Sequence, residues 1–342
     1  MGPLSKLLFP ILTVCVCFLM LHARNLRIVD NRSKADKRRM QRDLVGSLRY
    51  PSYNPGHDKI NWVWPKLEAA VANTTIHLDD QAEHAAAIVE MRCTPLLRLV
   101  IMHNLAMLGP GWQLYVFHGT ENAQCVRAAL QNFITGPGLV FIDVGVTQLN
   151  DSSYNRLLKS AKFWETFTGA SPTRIKRCLV FQLDSLILQK GRSSEFTAFD
   201  YIGAPWHAEN DAYSGINEAR VSIPALHPSQ RVGNGGFSIR NPEAMLAVLT
   251  EHAAQSTDHE QEDVFFVRHL AAFGYTVASL GKAAGFALEV PVEDVHYEKQ
   301  PYPWAIHQAW LYTPWGQSRM TQELMDNAIN VATKSSRELT TW

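Results

Sequence analysis

The chain has 342 residues, 46% hydrophobic and 19% charged, a composition that excludes a disordered protein and predicts a large buried core. Its 32 basic residues balance 32 acidic residues, so the chain has no overall positive field for a nucleic-acid backbone. We therefore expect one large domain or two small ones, and no nucleic-acid partner.

The N-terminal region predicts a membrane anchor followed by a stem. After a short tail at residues 1–6, residues 7–21 form an unbroken apolar run. This segment is short for a bilayer core of about 30 Å, but with its flanking residues it suffices for a thin membrane. Residues 23–50 are polar and basic without an apolar period, as in a stem. We expect a signal anchor at residues 7–22.

Two alternatives remain open for this segment. A cleaved signal peptide has a similar apolar region, although Leu21-His22-Ala23 lacks the small residue expected at the first of those positions. The second alternative is the opposite orientation. Under the positive-inside rule the basic residues that follow the anchor would be cytosolic, and the C-terminal domain would then lie in the cytosol rather than in the lumen.

From residue 51 onward, strand patterns alternate with helix patterns. Apolar strands separated by helices predict an α/β fold of Rossmann type, with a mostly parallel sheet flanked by helices and ligands at the carboxyl ends of the strands. We expect a single large domain at residues 51–325 and a C-terminal tail at 326–342. Strands are predicted at Ala85–Glu90, Trp112–Phe117, Leu139–Val144 and Cys178–Leu188, and helices at Pro95–Leu108, Asn122–Phe133, Tyr154–Phe167, Pro242–His252 and Glu262–Phe273.

The cysteines give no sign of a zinc site. Cys15 and Cys17 lie in the apolar segment, and Cys93, Cys125 and Cys178 have none of the paired spacings of a zinc ligand set. Cys178 opens an apolar strand, which is typical of an inert core thiol. A disulfide between Cys93 and Cys125 is one option in an oxidising compartment, although pairing cannot be read from sequence.

The segment Arg231–Arg240 contains three glycines around Asn234, followed by a strand-like Phe-Ser-Ile. Such a segment presents backbone rather than side chains, which suits the close approach of a bulky polar ligand. The alternative is that Asn234-Gly235 is a hairpin turn.

Asp184 lies in the otherwise apolar predicted strand Cys178–Leu188. Burying a carboxylate there costs several kcal/mol unless a cation or strong donors meet it. A divalent metal that holds a diphosphate is one such cation. The alternative is an aspartate at the end of a strand that caps the next turn.

Five motifs follow one another along the chain: Phe181–Ser185, Phe199–Trp206, Val232–Arg240, Glu262–Phe266 and Pro303–Trp310. In this order they resemble a family of glycosyltransferases known only as a domain of unknown function and related to the GT-A nucleotide-diphospho-sugar transferases. The resemblance extends from about Ala85 to Trp310. It implies a GT-A-like fold and a hexosyltransferase-like enzyme that moves a sugar from a nucleotide-diphosphate donor to a hydroxyl group of a glycan, protein or lipid acceptor.

The resemblance implies a site for Mn²⁺ or Mg²⁺ with Asp184 and His307 as ligands. Gln182 stands where the D-x-D motif of such enzymes has its first acid. One carboxylate, one amide and one histidine can still hold Mn²⁺, with lower affinity than two carboxylates give. His296 is the second choice for the histidine ligand.

The resemblance also implies catalytic roles for the acidic pair Glu262-Asp263. We expect Asp263 to be the general base for an acceptor hydroxyl and Glu262 to contact the acceptor or sugar, although the two roles remain open to exchange. The alternative is that the pair only caps a helix. Further predicted contacts with donor or acceptor are Gln182, Asp184, Trp206, Asn234, Gly235 and Gly236, and Trp206 is equally compatible with a core position.

This activity implies a single-pass type II protein of the Golgi or ER membrane with a lumenal catalytic domain. The sequons at Asn31, Asn73 and Asn150 would then be glycan acceptors. The alternative function is a non-catalytic sugar-binding or nucleotide-binding protein of the same fold, which the missing first acid of D-x-D suggests.

Overall fold

The structure is a computed structural model that describes residues 63–71, 75–94, 96–169, 174–206, 226, 231–252, 260–289 and 303–308. These residues lie in one compact unit, Leu48–Trp342. The predicted anchor, stem and C-terminal tail lie outside the described residues. None of the described helices combines the length and apolarity needed to cross a membrane.

The first half of the described chain confirms the predicted alternation of strands and helices. Its elements are α1 (Val63–Val71), β1 (Ile76–His77), β2 (His84–Glu90), α2 (Leu96–Leu108), β3 (Trp112–His118), α3 (Ala123–Leu130), β4 (Ile134–Thr135), β5 (Leu139–Asp143), α4 (Asp151–Leu158) and α5 (Ala161–Thr168).

The prediction of one helix at Tyr154–Phe167 is wrong, because α4 and α5 are separate helices. The Asn150 side chain caps α4 by accepting a hydrogen bond from the Ser153 N–H, and Ser160 caps α5 by accepting one from the Phe163 N–H. Ser160 therefore starts a second helix directly after the first.

The second half of the described chain supplies shorter strands and three further helices. Its elements are β6 (Arg177–Phe181), β7 (Ser185–Ile187), β8 (Tyr201–Ile202), β9 (Ala204–Pro205), β10 (Val232–Gly233), β11 (Phe237–Arg240), α6 (Pro242–His252), α7 (Glu262–Leu270), α8 (Leu280–Phe286), β12 (Ala287–Leu288) and β13 (Ala305–His307), with 3₁₀ turns at Ser193–Glu195 and Ala271–Phe273.

The central sheet is mostly parallel, as predicted. Its six strands have the order β5-β3-β2-β6-β11-β8. The strands β5, β3, β2 and β6 are parallel, whereas β11 is antiparallel to both of its neighbours. The carboxyl ends of the parallel strands therefore share one edge, where ligands bind in open α/β sheets.

The predicted single strand Cys178–Leu188 is wrong, because a turn divides it into β6 and β7. After β6 the chain leaves the central sheet, and β7 joins a three-stranded sheet of order β12-β13-β7. The Ser185 N–H donates to the Gln182 carbonyl (3.1 Å), which closes the turn. Gln182 and Asp184 thus lie at the carboxyl end of β6 rather than inside a strand.

Helix α2 holds β7 in place through two buried polar side chains. The Asn104 side chain donates to the Ser185 carbonyl (3.2 Å) and accepts from the Ile187 N–H (3.0 Å). His103 Nε2 bonds the Ile187 carbonyl at 2.8 Å. These contacts satisfy backbone groups on the edge of β7 away from β13, as burial requires, and they fix the strand that follows the Gln182–Asp184 turn.

The core between the central sheet and α5 is aromatic. Phe163 and Phe167 of α5 contact Phe117 of β3 at ring-centroid distances of 4.6 and 6.0 Å.

A disulfide joins Cys93 to Cys125, which settles the pairing left open by the sequence. Cys178 is buried, and burial raises the pKa of its thiol, so the prediction of an inert core thiol is confirmed.

Candidate functional site

The glycine segment connects two strands that do not pair with each other. β10 pairs with β9, whereas β11 pairs with β6 and β8, so the hairpin alternative for Asn234-Gly235 is wrong. Asn234 has a φ of 68°, in the left-handed region that asparagine tolerates. Its side chain accepts a hydrogen bond from the Gly236 N–H (2.9 Å), which closes a tight turn between the two strands.

The glycines are required because protein side chains occupy the space that a Cβ would need. A Cβ would overlap the Trp206 ring at Gly233, the Glu262 carboxylate at Gly235 and the His307 ring at Gly236. The reason predicted for these glycines, approach of a ligand, therefore differs from what the structure shows. Contacts of Asn234, Gly235 and Gly236 with donor or acceptor stay a prediction.

Trp206 is buried, with 5% of its surface exposed, and its ring packs against Gly233. The backbone N–H of Trp206 donates to the Arg231 carbonyl (2.8 Å), which continues the pairing of β9 with β10. The structure thus supports the core position for Trp206 rather than an aromatic surface for stacking on a sugar.

Gln182, Asp184 and His307 come together at the carboxyl end of β6. His307 lies on β13 directly opposite Ser185 of β7. Its Nε2 is 3.2 Å from Gln182 Oε1 and 3.3 Å from Asp184 Oδ1. The Gln182 N–H donates to the Gly236 carbonyl (2.9 Å), so this cluster is tied to the glycine segment.

The cluster is electrostatically coupled. Burial raises the pKa of Asp184, but the charge and hydrogen bonding of the neighbouring His307 outweigh this effect. The net pKa of Asp184 therefore lies below its ordinary value. Burial lowers the pKa of His307, but Asp184 and Glu289 outweigh this effect and raise it to about 10. Glu289 Oε1 lies 3.4 Å from the second ring nitrogen of His307. Without a bound cation, His307 is therefore the positive partner of Asp184.

These three residues fit a divalent cation. Adjacent ligands on an octahedral ion with bonds of 2.0–2.1 Å lie about 3 Å apart, close to the 3.2 and 3.3 Å separations around His307 Nε2. Asp184 Oδ1 is buried, and its ion pair with His307 Nε2 (3.3 Å) falls outside hydrogen-bond geometry. A carboxylate beside the second nitrogen of a ligand histidine, as Glu289 is here, commonly fixes the ring. Among the described residues, no group of three or more His, Cys, Asp or Glu side chains could hold a metal ion.

Asp263 lies on the other side of the glycine segment, in the first turn of α7. Its Oδ2 accepts a hydrogen bond from the Gly235 N–H (2.8 Å), and its Oδ1 accepts one from the Val264 N–H (2.8 Å). Burial and the adjacent Glu262 charge raise the pKa of Asp263 to about 7. A carboxylate with this pKa can accept and release a proton near neutrality.

Glu262 forms a buried ion pair with Arg240. Both of its oxygens accept hydrogen bonds from the guanidinium group of Arg240, one of them at 2.9 Å, and both side chains are buried. The structure therefore gives no support to Glu262 as a direct contact for acceptor or sugar. Asp263 also fulfils part of the helix-cap alternative, because its Oδ1 accepts a hydrogen bond from the Val264 N–H in the first turn of α7, whereas Glu262 is bound to Arg240.

Sequence reasoning missed three residues of the site: Arg240, Glu289 and Tyr154. Arg240 closes the glycine motif, and an arginine that ends an apolar strand was a usable signal for a buried acid partner. The Tyr154 hydroxyl is buried next to Gln182 without a hydrogen bond of good geometry, and burial raises its pKa. No local pattern indicated it. His296 lies outside the described residues.

The solved structures that are similar to this chain at low identity include three glycosyltransferases. Mouse xyloside xylosyltransferase 1 in its apo form is 14% identical, with 67% of this chain and 97% of that chain covered and a TM-score of 0.41. The galactosyltransferase LgtC, solved with donor and acceptor sugar analogues, is 12% identical over 73% and 95%, with a TM-score of 0.44. GlyE of Streptococcus pneumoniae is 11% identical over 74% and 62%, with a TM-score of 0.41.

No curated protein matches the chain by sequence. One family model does match, over residues 141–307, a region that holds the Gln182–Asp184 turn, the glycine segment, the start of α7 and His307. The resemblance predicted from the motifs is thereby confirmed: the region that forms the candidate site matches the family described as Protein of unknown function (DUF5672).

Proposed function

We propose that this protein is a glycosyltransferase that moves a sugar from a nucleotide-diphosphate donor to a hydroxyl acceptor in the secretory pathway, assisted by a divalent metal. One observation carries the proposal. The dipeptide Gly235-Gly236 links two groups of side chains. On one side is the cluster around Gln182, which suits a metal and a diphosphate, and on the other is the Asp263 carboxylate, which suits a hydroxyl group. The Gly235 N–H bonds Asp263, and the Gly236 carbonyl accepts from Gln182.

The donor side consists of Gln182, Asp184 and His307. These residues would hold Mn²⁺ or Mg²⁺, which when bound neutralises charge on the leaving diphosphate. Asp184 brings the carboxylate charge, and Glu289 holds the His307 ring at its second nitrogen.

The acceptor side consists of Asp263. A carboxylate has about four lone-pair sites, and the N–H groups of Gly235 and Val264 occupy two of them. The remaining lone pairs can take the proton of the acceptor hydroxyl while its oxygen bonds to the sugar and the bond to the diphosphate breaks. This is the role of a general base in an inverting transfer.

Calorimetry with full-length protein, a panel of nucleoside diphosphates and Mn²⁺ tests the donor side. Asp184→Asn keeps the shape of the side chain but removes its charge, so metal-dependent nucleotide binding should be lost. Asp79→Asn removes an exposed carboxylate outside the site and should bind like the wild type. Unchanged binding by Asp184→Asn would refute the metal cluster.

Replacement of the base tests the acceptor side. Asp263→Asn should bind donor normally and transfer about 10²–10⁴-fold more slowly. Near-normal transfer by this variant to a proven acceptor would instead favour a retaining mechanism without an enzymic base.

A second function, a non-catalytic sugar-binding or nucleotide-binding protein, is favoured by one observation. Gln182 gives the cluster a neutral amide where a second carboxylate would hold a metal more tightly. This function predicts donor binding without turnover. Metal-dependent hydrolysis of a nucleotide sugar in the absence of acceptor would exclude it.

We also propose a lumenal orientation behind an anchor at residues 7–22. Asn150 is exposed, and its side chain caps α4 together with Ser153. Endoglycosidase should therefore increase gel mobility, and a Thr75→Ala/Ser152→Ala variant, which removes two sequons but keeps the Asn150 cap, should show a smaller shift. Digestion of the domain by protease outside sealed microsomes would place it in the cytosol.

A further inference from the structure

An arginine and a glutamate form a fully buried ion pair beneath the glycine segment. Arg240, the last residue of β11, has no exposed surface, and Glu262, the first residue of α7, is 2% exposed. Arg240 binds both oxygens of Glu262, and its Nε donates to the Ser238 hydroxyl (2.9 Å). A two-pronged contact of this kind fixes both distance and orientation.

Aromatic rings and an amide enclose the pair. The guanidinium carbon of Arg240 lies 5.7 Å from the ring centroid of Trp164, 5.1 Å from that of Tyr201 and 5.9 Å from that of Phe266. The Glu262 N–H donates to the Asn155 side chain (2.8 Å). The start of α7 is thus held from β11 and from α4.

The pair is in contact with the residue that binds Asp263. A Cβ at Gly235 would overlap Glu262 Oε1 and would lie 3.4 Å from Arg240 Nη2, so the ion pair lies directly against this glycine. The Gly235 N–H donates to Asp263 Oδ2 (2.8 Å). Glu262 also precedes Asp263 in the chain, so the ion pair constrains Asp263 through α7 and through Gly235.

Stability alone does not account for such a pair. Desolvation of two charges commonly offsets their attraction, and apolar residues of similar volume often replace a buried pair without loss of stability. We propose that Arg240 and Glu262 are positioning residues, whose ion pair holds the first turn of α7 against Gly235 and so fixes the Asp263 carboxylate for the transfer reaction. This inference rests on the proposed function for its catalytic meaning.

Among the residues that the structure describes, Glu262, Arg240 and Tyr201 face Asp263 with a charge or an ionisable proton. The Glu262 charge raises the pKa of Asp263, and the Arg240 charge lowers it to a smaller extent. Burial raises the pKa of Tyr201, so this phenol stays neutral. Loss of Glu262 charge should therefore lower the pKa of Asp263, and loss of Arg240 charge should raise it.

The test is a titration of the Asp263 carboxyl by ¹³C NMR in the full-length protein, with its signal assigned by its absence in Asp263→Asn. The variants are Glu262→Gln, Arg240→Gln and the double variant, which keeps a neutral hydrogen-bonding pair. Glu83→Gln, which removes the acid of the exposed Lys176–Glu83 pair, is the control. The pKa of Asp263 should be lowest in Glu262→Gln, then rise through the double variant and the wild type to Arg240→Gln.

We expect a fall of about one unit or more in Glu262→Gln, and no change in the control. A general loss of structure would move both single variants in the same direction, so shifts in one direction, or no shift, overturn the inference. If Arg240→Gln does not fold, the Glu262→Gln and double variants decide in the same way.

The same variants separate this inference from the proposed function. If the order of pKa values holds but Asp263→Asn leaves transfer unchanged, the positioning pair stands and Asp263 is not the base. If Asp263→Asn abolishes transfer and the order fails, the base stands and the positioning role falls.

Discussion

Replacement of Asp263 by asparagine should change how the stability of the protein depends on pH. The pKa of this carboxyl is raised from 3.8 to about 7 by burial and by Glu262. Below about pH 4 both folded and unfolded states hold the proton, and the group has no pH-dependent effect. Between about pH 4 and 7 only the folded state holds it, so wild-type stability falls as the pH rises. Above about pH 7 the loss is complete.

The size of this loss follows from the raised pKa. At 1.36 kcal/mol per pH unit, a rise from 3.8 to about 7 corresponds to at most about 4 kcal/mol. Asp263 keeps partial contact with solvent, which reduces the expected loss to about 1–2 kcal/mol. For a domain of this size that is a change in Tm of about 2–6 °C.

Thermal unfolding of wild type and Asp263→Asn at pH 5 and pH 8 measures this effect. The asparagine retains only one acceptor oxygen for the N–H groups of Gly235 and Val264, which costs stability equally at both pH values. The difference in Tm, variant minus wild type, should therefore increase between pH 5 and pH 8. Asp79→Asn should show no such increase. An equal pH dependence in Asp263→Asn and wild type would refute the raised pKa and, with it, the general base poised near neutrality.

Three further outcomes follow from contacts in the structure. Gly236→Ala should weaken metal-dependent nucleotide binding in calorimetry, because its Cβ would displace the His307 ring, whereas Gly281→Ala, with open space around its Cβ, should bind normally; equal binding by both would contradict the cluster. Tyr154→Phe removes a buried hydroxyl without a hydrogen bond and should leave Tm unchanged or higher, so a marked fall would reveal an internal partner. Reduction of the Cys93–Cys125 disulfide, which joins residues 32 apart, should lower stability by about 4 kcal/mol in thermal melts, and an unchanged Tm would show that it does not restrain the unfolded chain.

The parts of the fold that the sequence predicts are those set by local periodicity. β2, α2, β3, α3 and β5 were found with small errors at their ends, because each has an apolar pattern of its own. The resemblance to the glycosyltransferase family also predicts Asp184 and His307 at one site, although they lie far apart in the chain. Parallel pairing of apolar strands then predicts which ends share an edge.

The missed features depend on contacts between distant segments. A continuous apolar pattern from Cys178 to Leu188 conceals the passage of the chain from one sheet to another, since both strands are buried. The partner of Glu262 is 22 residues away on another strand, and no local pattern pairs them. The sequence predicts that the glycines leave space for a ligand, whereas the side chains that fill this space, Trp206, Glu262 and His307, come from distant parts of the chain.

Because β13 lies near the end of the described chain, its pairing with β7 makes the cluster of Gln182, Asp184 and His307 form late in folding. His307 reaches Gln182 across 125 residues, through a register that sets it opposite Ser185. Contacts between such distant residues form slowly, because a long loop must close before they contribute. A nascent chain that has already built β2, β3 and β6 would still lack its histidine. The three-residue strand β13 therefore has to pair in register with β7 before Gln182, Asp184 and His307 come together, and this requires a polypeptide that has been synthesised through β13.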